Sequence, residues 1–254
     1  MIDSPVSSLN VPADSSDSFP ARWPRWALRI GLVWCAVLLI MMGLQEGASP
    51  EDQTTALSIT LSGVYTLLLA WTRRWWLSRL LDHPLRNAIL VGSINAAVIE
   101  TLFLIVEKAF GAEGVAAHPN LILDLVITMP WYIGMVIIFV RVQNRQRFIP
   151  ALVLLLGGLY EIGGDGIAGG VFSGSIFTPW VLILYPGVML WLFIPVYSSM
   201  VLPPAWIIAQ TPPPPKPAAI PAWKDALRPL VWLVPFMIYL VIVLLVAGAL
   251  SEIV

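Results

Sequence analysis

Seven stretches of the chain are apolar over a length that approaches a bilayer crossing: residues 26–44, 54–72, 87–107, 121–140, 149–163, 177–201 and 229–250. A membrane-spanning helix takes roughly 20 mainly apolar residues. The pattern therefore predicts an all-α fold, a polytopic membrane helix bundle of seven transmembrane helices. The fifth stretch is short. It runs into a cluster of glycines (Gly157, Gly158, Gly163, Gly164, Gly166, Gly169, Gly170 and Gly174), which reads as a Gly-rich break that continues the helix or turns back as a re-entrant segment. Prolines fall inside the predicted helices at positions 130, 179, 186, 195 and 235. Each removes a backbone donor and frees a carbonyl for a neighbour.

The polar intervals set an orientation. Arg22, Arg25 and Arg29 flank the first helix; Arg73, Arg74, Arg79 and Arg86 separate the second and third; Arg141, Arg145 and Arg147 separate the fourth and fifth; Lys216, Lys224 and Arg228 separate the sixth and seventh. Basic residues near helix ends stay on the cytoplasmic side, so the alternation predicts the N-terminus inside and the C-terminus outside, with only Lys108 on the far face. Seven tryptophans (Trp23, Trp26, Trp71, Trp75, Trp76, Trp206 and Trp223) fall at these same ends and read as an interfacial belt.

Composition agrees with a lipid solvent: of 254 residues 58% are hydrophobic and 11% charged, too few polar side chains to cover a soluble globule. A net charge of −1 gives no ground for a nucleic-acid partner. Residues 1–21, rich in Ser, Asp and Pro, are expected to be a disordered cytoplasmic tail without a cleavable signal. Residues 22–254 form one domain, and the proline-rich linker at 211–221 is a semi-rigid spacer. The lone Cys35 sits in an apolar run and reads as packing. His83 and His118, without cysteines, make a weak metal signature, and no cofactor is expected.

Candidate chemistry lies in the intramembrane acids. Glu100 and Glu161 each follow an arginine by 14 residues, which puts both roughly 20 Å from the basic end. They are expected to share a layer just past mid-membrane. Such acids are costly and face the bundle interior or water, so they mark function by default. Burial and mutual repulsion should keep a proton on one of them near neutral pH. Glu107, Asp124 and Asp165 are expected above this pair near outer water, as an acidic funnel, and Asn95 as an interhelical hydrogen-bonding group. These four residues are the substrate or ion-pathway candidates. The segment GDGIAG matches G-x-G-x-x-G spacing, but no acid follows until Asp225, so the dinucleotide reading fails.

Residues 229–250 contain no lysine to carry retinal, and the intramembrane histidines of a seven-helix zinc hydrolase are absent. The plan of carboxyl groups from different helices facing an apolar cavity resembles that of membrane-integral isoprenoid cyclases and carotenoid hydratases, without a shared motif. The leading expectation is an acid/base enzyme of the cell membrane acting on a lipid or isoprenoid, with Glu161 as general acid and Glu100 as base. A proton- or cation-coupled carrier and a membrane scaffold are the alternatives. The expected partners are membrane lipid and a hydrophobic small molecule or cation.

Overall fold

A computed structural model describes residues 23–169, 185–213 and 220–251. The disordered-tail expectation, Pro179, the break beyond Gly169 and most of the linker lie outside them. The described residues are helical, without a strand. The long helices are α1 (Trp23–Leu44), α2 (Pro50–Trp71), α4 (Pro84–Phe110), α5 (Leu121–Gln146), α6 (Pro150–Glu161), α7 (Leu190–Ala209) and α9 (Leu233–Ser251). Short helices α3 (Arg73–Trp76) and α8 (Ala222–Ala226) lie in the connections. Among the described residues six helices are long and apolar enough to cross a membrane.

The exception is α6, the predicted fifth span. Twelve α-helical residues rise only about 18 Å, and Ile162–Gly169 then continues the segment as a π-helix. Within the described residues the glycine cluster therefore extends the helix in a widened form. π-helical turns are rare and often mark functional sites.

Helix α7 is the centre. In its most apolar stretch 78% of residues are buried, against 11% in α1 and 17% in the last span. Apolar side chains such as Leu67, Ile94, Ile105, Ile122 and Leu245 cover the outside, as suits a bundle whose solvent is hydrocarbon.

Prolines explain how the helices are stitched together. Pro130 leaves the Val126 carbonyl without its intrahelical donor, and the Tyr239 hydroxyl of α9 donates to it at 2.6 Å. Trp232 Nε1 donates to the Pro130 carbonyl at 2.9 Å, and its indole lies over Gly134, where any Cβ would stand 2.0 Å from the ring. Helix α7 runs through Pro203 and Pro204 to Ala209, eight residues beyond its predicted end. Pro203 frees the Ser199 carbonyl, and Asn95 Nδ2 of α4 donates to it at 2.7 Å. Pro204 frees the Met200 carbonyl, which faces Gly92; a Cβ there would stand 2.9 Å from that oxygen. The lost backbone bonds are thus replaced by contacts between helices. Pro195 also lies inside α7, whereas Pro235 sits in the first turn of α9, where its missing N–H is tolerated.

Some predicted positions shift. Trp34 Nε1 donates to the Gly187 carbonyl, and the Trp191 indole lies over Gly31. Gly31 is about 12 Å into α1 and Trp191 about 27 Å from the Ala209 end of α7, so α1 begins about 15 Å short of that end. Arg25 and Arg29 therefore do not lie level with the other arginines. Arg141 and Arg145 belong to the last turns of α5, not to a loop. Among the belt tryptophans, 26, 71, 75 and 223 are exposed, but Trp76 and Trp206 pack on each other with centroids 6.3 Å apart. The side chain of Trp23 is outside the described set.

Candidate functional site

Two acids of α4 lie by one acid of α5. Glu100, on α4, accepts a hydrogen bond from the Tyr132 hydroxyl of α5 at 2.5 Å. Its neighbour is Asp124, in the first turn of α5. Glu107 adds a third negative group beside Asp124. Asp124 is thus a carboxyl partner of Glu100.

Helix α5 positions this group through its cap. Asn120 accepts from the N–H groups of Ile122 and Leu123, fixing the helix start. Asp124 follows within the first turn, and Tyr132 lies eight residues on, on nearly the same face. Helix α4 presents Glu100 and Glu107 seven residues apart, again on one face.

Glu107 and Asp124 were expected as solvated helix ends at the mouth of a funnel; both are buried, at 5% and 0% exposure. The loop 111–120 folds over them. Its Ala116 N–H donates to Glu107 Oε2 at 2.5 Å, and its His118 N–H donates to Asp124 Oδ1 at 3.1 Å. The chain reverses at Gly111, with φ of 65°, and at Gly114, with φ of 79°. Glycine adopts this left-handed backbone without strain, which lets the short loop return onto the acids. The mouth is capped by backbone donors.

Asp124 Oδ2 is buried and meets no donor among the described residues. The group beside it is another carboxyl, Glu100. Two carboxylates in contact in a dry setting cannot both stay ionised, and a proton on one supplies the donor that the other lacks.

Glu161, 2% exposed, is the last α-helical residue of α6. It follows Gly157 and Gly158 by four and three residues. Those glycines meet Tyr197 and the Leu190 carbonyl of α7, so Glu161 shares the face turned to α7. One turn further on, a Cβ at Gly164 would stand 2.4 Å from Trp131 Nε1. Trp131 in turn donates to the Tyr197 hydroxyl at 2.7 Å, and the Tyr197 ring meets Tyr132 edge-on at 5.7 Å. Three buried aromatic residues, Trp131, Tyr132 and Tyr197, thus form a wall from the Glu100 side to the turn that carries Glu161. Asp165 lies in the π-helical turn, and its side chain is outside the described set.

Asn95 joins three helices. It accepts from the Tyr65 hydroxyl at 2.8 Å while holding the Ser199 carbonyl, and so ties α2, α4 and α7 together. The tyrosines and Trp131 are the site residues that the sequence reading passed over. Their signal is the Pro-Trp-Tyr run at 130–132, two aromatic side chains on a proline-opened turn at the predicted depth of the acids.

Among the described residues no group of three or more metal-ligating side chains is arranged to hold a metal. No family model matches the chain, and neither a curated protein nor a solved structure is significantly similar to it.

Proposed function

We propose that this multi-pass membrane protein is an acid/base enzyme acting on a lipid-soluble substrate, an isoprenoid or other unsaturated lipid. The supporting observation is the Glu100 carboxyl: half-buried about 24 Å along α4, hydrogen-bonded by Tyr132 and paired with Asp124. A carboxyl that keeps a proton at this depth can protonate a substrate dissolved in the bilayer.

In this reading Glu100 is the proton donor, Asp124 holds its proton in place, and Glu161 is the base across the aromatic wall. This reverses the roles first expected for the two glutamates. Glu100 gives a proton to one carbon of a double bond, and Glu161 takes one from a neighbouring carbon. The double bond moves, and no other reactant is consumed. The faces of Trp131, Tyr132 and Tyr197 stabilise the positive charge between the two steps. With α6 and its π-helical extension as a crossing, the bundle has seven spans and the arginine-rich end faces the cytoplasm of a cell-membrane protein.

The test is the lipid extract of membranes carrying the wild type or Glu100→Gln at equal protein level, resolved by chromatography and mass spectrometry. A species formed by the wild type should fall at least about 100-fold with the variant. Identical profiles would refute the enzyme reading. The loop that caps Glu107 and Asp124 favours a second reading, a proton- or cation-coupled carrier whose gate is that loop, and pH-driven flux in liposomes lost in Asp124→Asn would establish it. A scaffold role predicts that neither assay responds.

A further inference from the structure

The turn between α2 and α4 is built to present arginines at one fixed level. Thr72 closes α2 with its hydroxyl on the Leu68 carbonyl, and α3 then leads into a 3-10 turn at Leu77–Leu80. Trp76 packs on Trp206 and donates to the Leu69 carbonyl, while Leu77 and Leu80 pack against the core. Asn87 Nδ2 donates to the Leu80 carbonyl at 2.9 Å, tying the first turn of α4 to the same unit. The inner face is therefore anchored at four points.

The outer face carries Arg74, Trp75, Arg79 and, on α4, Arg86, all exposed. From Trp71 to Arg86 there are four arginines and one acid, Asp82, so the net charge is 4 − 1 = +3 with His83 neutral. None of these arginines forms an ion pair among the described residues; the ion pairs found there involve Arg145 and Arg228, both to Asp225. The Arg79 guanidinium lies 4.4 Å over the Trp75 ring. A guanidinium held over a ring keeps N–H donors free, and its fork matches two oxygens of a phosphate. Trp71 and Trp75, 81% and 67% exposed, place this surface at the membrane–water boundary, where indoles concentrate. The phosphates at that level belong to lipid headgroups.

We infer that Arg74, Arg79 and Arg86 form a binding site for the headgroup of an anionic phospholipid. It is independent of the carboxyl site and of any reaction there. An anionic headgroup supplies the negative charge that the protein withholds from this turn.

The test uses the full chain in a neutral detergent, with its thermal unfolding followed as phosphatidylglycerol or phosphatidylcholine is added. Phosphatidylglycerol should raise the midpoint by a few degrees more than phosphatidylcholine. That difference should vanish in the triple variant Arg74→Gln, Arg79→Gln, Arg86→Gln and persist in Arg141→Gln, which removes an exposed arginine from the end of α5. Should the triple variant not fold, Arg79→Gln alone should reduce the difference. Equal shifts with the two lipids, or a preference that survives the substitutions, would overturn the inference. An equal shift from inorganic phosphate would show a site for free anion and overturn the lipid assignment.

Discussion

Asn95→Leu is expected to cost the folded bundle about 2–3 kcal/mol, the penalty for leaving buried polar groups without partners. Two are orphaned: the Ser199 carbonyl, freed by Pro203, and the Tyr65 hydroxyl. Asn95 is 4% exposed, so no water replaces its amide. Leucine is close in size, and the loss is therefore one of hydrogen bonding and not of packing. The partners can be separated. Pro203→Ala restores an N–H at position 203, four residues after Ser199, and gives that carbonyl an intrahelical donor. In that background the penalty of Asn95→Leu should shrink, leaving the share due to Tyr65. Unfolding free energies of the four proteins form the cycle. An unchanged penalty would show that Asn95 does not act through the proline-freed carbonyl.

Gly158→Ala should be comparably damaging for a steric reason. Its Cβ would stand 2.7 Å from the Leu190 backbone oxygen and 2.8 Å from Ile194 Cγ1. A backbone oxygen in the central helix cannot rotate aside, so α6 and α7 must separate. Overpacking of this kind costs about 1–3 kcal/mol, and larger side chains cost more. Gly187→Ala is the control, since nothing lies within 4 Å of its added carbon. It should leave the unfolding midpoint unchanged. Equal midpoints for the two variants would mean that α6 and α7 are not held at this distance.

Six membrane-length helices were legible because a membrane helix must be long and apolar, and both properties are local. The central position of α7 was not, since all the helices look apolar and only packing separates core from rim. Its end was also misplaced: Pro203 and Pro204 lie inside the helix, beyond the predicted end at residue 201, and the Asn95 and Gly92 that compensate for their lost bonds lie on another segment. Depth along a helix follows from counting residues. Azimuth does not follow from counting, so the contact of Asp124 with Glu100 was not foreseen. Loop 111–120 buries Asp124 by tertiary folding, which leaves little trace in composition beyond Gly111 and Gly114. One readable signal is the hydroxyl at every fourth position of α2: Thr54, Ser58, Ser62 and Thr66 form a buried stripe that ends in the 2.6 Å contact of Thr66 with Ser198.

The proposed chemistry requires one proton held between Glu100 and Asp124. Infrared absorption of the purified protein in bilayers reads it directly, since a protonated carboxyl has a C=O stretch distinct from that of a carboxylate. At neutral pH the wild type should show a protonated-carboxyl component that is lost in Glu100→Gln and again in Asp124→Asn, because either substitution dissolves the pair. Variant spectra that match the wild type in this region would contradict the shared proton, and with it the acid at the centre of the proposed chemistry.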